Sequence, residues 1–213
     1  MSNYLLFAGK NDYVESLKKH FEERFEGNEK EISIAKVSNA NSICVIERRN
    51  ESVKSSIFCH DTGEGLFFRG QALDYDSSSM IMGLNGFAEF QTKNKNYRNP
   101  LELVDFEGTY ALARWNTEIL TVQTDVYSIY RLLYYNTGEI VIVSDSLVLI
   151  VECMKKLGIE REINDEVAYI KAWNASGLPN APISDELIVK GVFSLQVGKY
   201  LQIRWKDEEY SVQ

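Results

Sequence analysis

Cys59, His60 and Asp61 stand side by side, offering in one run a nucleophile, a base and an acid, the groups with which thiol hydrolases activate sulfur. Neighbouring residues on a strand face opposite ways, so three in a row cannot form a relay within one site. The run therefore reads as a loop cluster. The other thiols, Cys44 and Cys153, are distant in sequence. An odd, widely spaced set of three cysteines argues against a disulfide framework or a zinc site, and for a reducing, cytoplasmic setting. No metal-ligand set is expected. His20, between helix lysines and an apolar stripe, reads as a solvated flank. No G-x-x-x-x-G-K phosphate loop is present, and the chain itself is expected to carry no cofactor.

A formal net charge of −8 over 213 residues, with no local basic stripe, excludes a nucleic-acid surface, which needs clustered Lys and Arg. The apolar run Tyr4 to Ala8 is too short for a signal peptide and leads into Lys10, Asn11 and Asp12. No window approaches the apolar length of a membrane span. The chain is long enough to bury a substantial core.

The elements that must position any site follow from periodicity. Tyr4 to Gly9 predicts a short buried strand. A helix is predicted from Asp12, with Glu15 completing a capping box. Val14, Leu17, Phe21 and Phe25 supply its apolar stripe, and Gly27 ends it. Strands are predicted over Glu31 to Val37, Ser42 to Glu47, Val53 to Cys59 and Leu66 to Arg69, of a length suited to antiparallel pairing. Ala72 to Phe90 reads either as a hairpin turning at Asp76 to Ser79 or as a strand leading to a helix near Asn85. Lys93 to Pro100 reads as a surface loop, and Leu101 to Val104 as a helical turn. Two hairpins follow. One joins Tyr110 to Ala113 with Ile119 to Thr124 about Asn116-Thr117; the other joins Leu132 to Tyr135 with Glu139 to Val143 about Thr137-Gly138. Helices over Ser146 to Leu157, stopped by Gly158, and over Asp165 to Trp173 come next. A turn-rich link over Ser176 to Pro182 and a strand over Lys199 to Trp205 complete an α+β, antiparallel pattern.

The runs Phe106-Glu107-Gly108-Thr109-Tyr110-Ala111-Leu112-Ala113-Arg114-Trp115-Asn116, Thr124-Asp125, Leu132-Leu133-Tyr134-Tyr135 and Val143-Ser144-Asp145-Ser146-Leu147 occur in that order. This order resembles the amino-terminal, class II glutamine amidotransferase-like domain of asparagine synthases and their relatives. There the pattern runs L-x-G-x-F-A-x-A-x-W-D, R-D-x-x-G, P-L-Y-Y, F-S-S-E. Gly191 to Leu201 resembles that family's connector, G-x-x-x-L-x-P-G-x-Y-L, with Val197 in place of the proline. The resemblance implies a four-layer αββα, Ntn-hydrolase-like sandwich of two antiparallel sheets. Residues 1–205 would form the amidotransferase-like domain, and 206–213 a tail or the start of a missing synthetase domain.

What the family's glutaminase chemistry requires is not here. The resemblance implies a cysteine exposed at the amino terminus, with its own α-amine as base; the position falls near Tyr4 or Leu5, neither of them a thiol. The R-G-P-D loop that holds the glutamine carboxylate has no counterpart. The Asn-Gly pair of the oxyanion hole is matched only by Arg69-Gly70, and the Gly-Ser-Asp-type turn only by Ser77-Ser78-Ser79. Ser2, exposed if Met1 is removed, is the one candidate nucleophile, set against its reading as a frayed terminus. A vestigial cleft is placed near Leu6, Arg69, Gly70 and Asp125; Asp125, after a strand, also reads as a turn-closing residue.

The expectation is a glutaminase-inactive amidotransferase-like domain of an asparagine synthase-related protein. β-Lactam synthetases and lasso peptide cyclases are relatives that keep such a domain without the nucleophile. It would act as a scaffold or substrate-binding element for an ATP-dependent, amide-forming domain or subunit, whose S-G-G-x-D-S loop this sequence lacks. The alternatives are a stand-alone ligand- or protein-binding module of the same fold, or a Ser2-dependent amidohydrolase. A homodimer through aromatic positions such as Phe87, Phe90 or Tyr97 is a further option. Neither nucleic acid nor membrane is an expected partner.

Overall fold

The computed structural model describes residues 4–25, 30–38, 40–48, 56–59, 63–75, 78–173, 184–205 and 209–212, and the two-residue alternation of their strands organises them. In β1 (Tyr4–Lys10), Tyr4, Leu6 and Ala8 face one way and Leu5 and Phe7 the other, and both sets are buried. A strand buried on both faces has to lie inside a layered structure.

β1 is central to one sheet. On one side it pairs with β3 (Asn41–Arg48), which is followed by β2 (Lys30–Lys36). On the other side it pairs with β10 (Ile140–Ser144), then come β9 (Leu133–Asn136) and β11 (Val192–Ser194). The second sheet has β7 (Glu107–Trp115) between β8 (Ile119–Thr124) and β5 (Gly65–Asp74). Beyond β8 lie β12 (Tyr200–Arg204) and β13 (Glu209–Val212). Beyond β5, β4 (Ile57–Cys59) and β6 (Ser79–Met82) share one edge, pairing with opposite ends of it. Every strand pairing among the described residues is antiparallel.

Three apolar clusters set the layers. Between the sheets, Leu6, Val45 and Val141 of the first meet Phe67, Ala113, Val122 and Ile203 of the second. On the outer face of the first sheet, α1 (Asn11–Arg24) and α3 (Leu147–Lys156) bury Val14, Leu17, Phe21, Ile150 and Cys153 against Phe7, Cys44 and Ile142. On the outer face of the second, α2 (Gly83–Lys93) packs Phe87 and Phe90 on Phe68, Phe106 and Tyr110. The order is helix, sheet, sheet, helix. This is the αββα arrangement that the resemblance implies, in an α+β chain.

Several local expectations change. α1 begins at Asn11 without a side-chain cap, so the Asp12–Glu15 box does not form. The tertiary structure supplies its start instead: Asn11 N–H donates to the Ala40 carbonyl at 2.8 Å, and its side-chain oxygen accepts from Ser42 at 2.5 Å. The two readings of Ala72 to Phe90 both hold, since β5 turns into β6 and β6 leads into α2. The segment expected as a loop carries a 3-10 turn over Lys95–Arg98, and Leu101 to Val104 is not helical. Phe87 and Phe90 are core residues rather than surface aromatics, and the partly buried Tyr97 leans on Phe90. Within 206–213, Glu209–Val212 forms a strand on β12. α4 (Asp165–Trp173) lies where periodicity places it, with Asn164 accepting from Val167 N–H as its cap. Gly158, at φ +69°, ends α3 as expected. Gly27, Val53 and the link Ser176 to Pro182 lie outside the described residues. No helix among the described residues is long and apolar enough to cross a membrane.

Candidate functional site

At the end of the sandwich where β1 starts, the apolar filling gives way to polar groups. Tyr4 and Glu47 are cross-strand partners on β1 and β3, and both belong to the face turned toward the opposite sheet. Across the gap, Arg69 follows Phe67 on the inner face of β5. Its Nη1 lies 3.4 Å from Glu47 Oε1. Glu47 is wholly buried and is held from a second direction by Ser56, whose N–H donates to Oε2 at 3.1 Å and whose hydroxyl donates to Oε1 at 2.7 Å. The enclosed carboxylate thus faces one cation and two hydrogen-bond donors.

The head of β1 is clamped on both sides of its backbone. Tyr4 N–H donates to Asp145 Oδ1 at 3.3 Å, and its carbonyl accepts from the Ser144 hydroxyl at 2.6 Å. The Tyr4 ring packs on Phe67 and Tyr130, with centroids 5.0 and 6.2 Å away. Burial holds the Tyr4 hydroxyl well above its ordinary range, and that oxygen has no hydrogen-bond partner among the described residues. Burial likewise pushes Tyr130 up to about 12 and raises Asp145. These are groups that the interior keeps neutral or desolvated, next to one buried ion pair.

Asp125 builds the loop that brings Tyr130 here. Its Oδ1 accepts from Tyr127 N–H at 3.2 Å and Ile129 N–H at 2.9 Å, and its Oδ2 from Tyr130 N–H at 2.8 Å. With three amides on it and almost no exposure, this carboxylate organises backbone. Gly70 sits at φ +110°, where an added Cβ would overlap the Thr109 carbonyl oxygen of β7. It is a close-approach glycine that lets β5 and β7 pair.

The chain is similar in structure, at low sequence identity, to solved structures that include the following two. One is glutamine phosphoribosylpyrophosphate (PRPP) amidotransferase from B. subtilis, complexed with ADP and GMP, with 11% identity and a TM-score of 0.47 over 100% of this chain and 49% of that one. The other is the allosteric regulatory enzyme of purine biosynthesis, with 11% identity and a TM-score of 0.49 over 99% of this chain and 48% of that one. The chain thus spans about half the length of either. No family model and no curated protein matches it.

Of the residues expected around a cleft, Arg69 and Gly70 are neighbours on β5, and Arg69 meets the Tyr4–Glu47 pair. Leu6 lies deeper, in the apolar filling, and Asp125 acts through its loop. Ser2, Ser77, His60 and Asp61 lie outside the described residues. Cys59 is half-buried and accepts a 2.8 Å hydrogen bond from the Ser33 hydroxyl, which joins β4 to β2. Burial raises its thiol, and raises Cys44 and Cys153 further still. His20 is not a solvated flank: its Nε2 is 2.9 Å from Glu152 of α3, and Arg24 pairs with the same carboxylate. Among the described residues no cluster of three or more His, Cys, Asp or Glu could hold a metal. Sequence reading missed Glu47, Ser56, Tyr130 and Asp145. The one signal was a glutamate closing the otherwise apolar run Ile43 to Ile46, which also reads as an ordinary strand end.

Proposed function

We propose that this chain is a glutamine amidotransferase-like domain without glutaminase activity, serving an ATP-dependent, amide-forming partner of the asparagine synthase-related kind as scaffold or substrate-binding element. The observation that carries this reading is the clamped head of β1. An Ntn-type glutaminase needs a free α-amine as base at that point, with a nucleophile on the same residue. Here the nitrogen is a peptide N–H already given to Asp145, and the side chain is a buried tyrosine. The nearest guanidinium, which could otherwise take a substrate carboxylate, is engaged by Glu47.

The scaffold role draws support from what lies beyond the pair. Leu73 follows Arg69 by two inner-face steps along β5, and Met80 and Met82 pair with Leu73 and Gln71 on that same face. Past the reach of the first sheet these residues are exposed, the two methionines at 62% each. Adaptable, unbranched side chains on an overhanging sheet suit a partner surface. The test is ammonia release from glutamine by the chain and by its Ser2→Ala variant. Neither is expected to release ammonia above the uncatalysed rate. Turnover that disappears in Ser2→Ala would rule the reading out.

A further inference from the structure

A concavity lies on the outer side of the second sheet, away from the Tyr4–Arg69 end. It is bounded by α2, the segment from Arg98 to Leu101, the start of β5 and the β7–β8 hairpin, and encloses about 870 Å³. That volume is of the order that small-molecule sites occupy. None of Leu6, Arg69, Gly70 and Asp125 lines it.

Arg114 lines the groove and is the largest fully buried side chain of the chain's described core, at 1% exposure. Its guanidinium is held by neutral oxygens only. Nη1 donates to the Tyr97 carbonyl at 2.7 Å and the Asn99 carbonyl at 3.3 Å, while Nη2 donates to the Glu102 carbonyl and, at 3.5 Å, to Gln123 Oε1. Among the described residues no carboxylate forms an ion pair with it, and its Nε–H has no acceptor. A buried cation with no ion-paired carboxylate among the described residues and one donor left over is costly unless something adds the missing partner. Burial draws this guanidinium down to about 10, with Tyr110, Glu102 and Tyr97 pulling partly the other way.

We propose that the groove binds a small organic anion through Arg114, a carboxylate or phosphate group satisfying the buried charge and the free Nε–H. Arg98 adds a second cation at the lining, Asn85 and Asn116 offer amide groups, and Phe58 and Leu84 give an apolar bed for the rest of the ligand. Glu64 and Glu118 also line the groove. Both are exposed, so water and salt screen them, whereas the charge of Arg114 is not screened.

Side-chain Nε–H spectra of the whole chain, labelled with nitrogen-15, test this directly. Benzoate, phenyl phosphate and inorganic phosphate serve as probes, with neutral benzamide as control. The Arg114 resonance is expected to shift saturably with at least one anion and not with benzamide. Benzoate as the effective probe assigns a carboxylate site; either phosphate assigns a phosphate site. Ala88→Trp fills the groove from an exposed position on α2 and is expected to weaken binding at least tenfold, and Thr92→Trp gives an independent block from the same helix. An Arg114 resonance that none of the anions moves overturns the proposal. So does an equal shift with benzamide, or unchanged affinity in a folded groove-filling variant.

Discussion

Nη1 of Arg69 on β5 stands 3.4 Å from Oε1 of Glu47 on β3, and this ion pair joins the two sheets at the end where β1 begins. Each partner lies on the inner face of its own sheet, so the pair exists only when the layers are stacked. Removing the carboxylate takes away the ion-pair partner of a largely buried guanidinium. Glu47→Ala is therefore expected to lower the unfolding free energy by about 3–5 kcal/mol, as breaking one side of a buried pair does. The double replacement Glu47→Leu with Arg69→Met should cost clearly less than the single one. Urea unfolding of the three proteins checks this; equal losses would show that the pair is not coupled.

Asp125 acts on the site at one remove, through the amides of Tyr127, Ile129 and Tyr130. Asp125→Ala orphans all three donors and is expected to cost about 2–3 kcal/mol, with loss of near-ultraviolet dichroism as Tyr130 leaves Tyr4. Asp125→Asn keeps one acceptor oxygen and should fall between. A variant with an unchanged tyrosine signal would remove the loop from the account.

Gly70→Ala puts a methyl group on a residue at φ +110° that faces the Thr109 carbonyl. Strain and overlap act together, and a loss of about 2–4 kcal/mol is expected in thermal or urea unfolding. Tolerance of alanine would mean that β5 and β7 can separate locally at little cost.

The three thiols differ in access but not in the direction of their shift, which is upward in each case through burial. Titration of the folded protein with a thiol-reactive disulfide at pH about 8 is expected to find Cys59 slow, and Cys44 and Cys153 silent until denaturant is added. A fast-reacting thiol in the native state would contradict the burial described here.

Asp145 is raised above its ordinary 3.8, mainly by burial. A carboxyl raised on folding favours its protonated form, so its stabilising contribution is complete below pH 3.8 and lost as pH climbs through the higher folded value. Asp145→Asn keeps an acceptor for Tyr4 N–H and removes that dependence. Its stability relative to the parent is expected to improve as pH rises from about 4 toward 7. A difference that stays constant across this range would show that Asp145 does not titrate with folding.

Periodicity within the chain determined most of the elements. The alternation of Tyr4 to Gly9, the helical stripe of Val14, Leu17 and Phe21, the turn residues at Asn116 and Gly138, and the stop at Gly158 are local properties, written in consecutive side chains. The identity of the residue at the head of β1, a tyrosine, was equally plain, because residue type needs no structure to be read. Partners distant along the chain could not be read this way. Glu47 and Arg69 lie on different sheets, Asp145 meets Tyr4 through a contact that spans most of the chain, and Phe87 is core because β5 and β7 provide the surface beneath α2. Arg114 makes the same point: a charged residue in an apolar strand takes its meaning from the carbonyls of a separate loop, and only folding brings those within reach. Local sequence sets backbone preference and the period of burial, whereas the pairing of charges across layers depends on which faces the stacked sheets bring together.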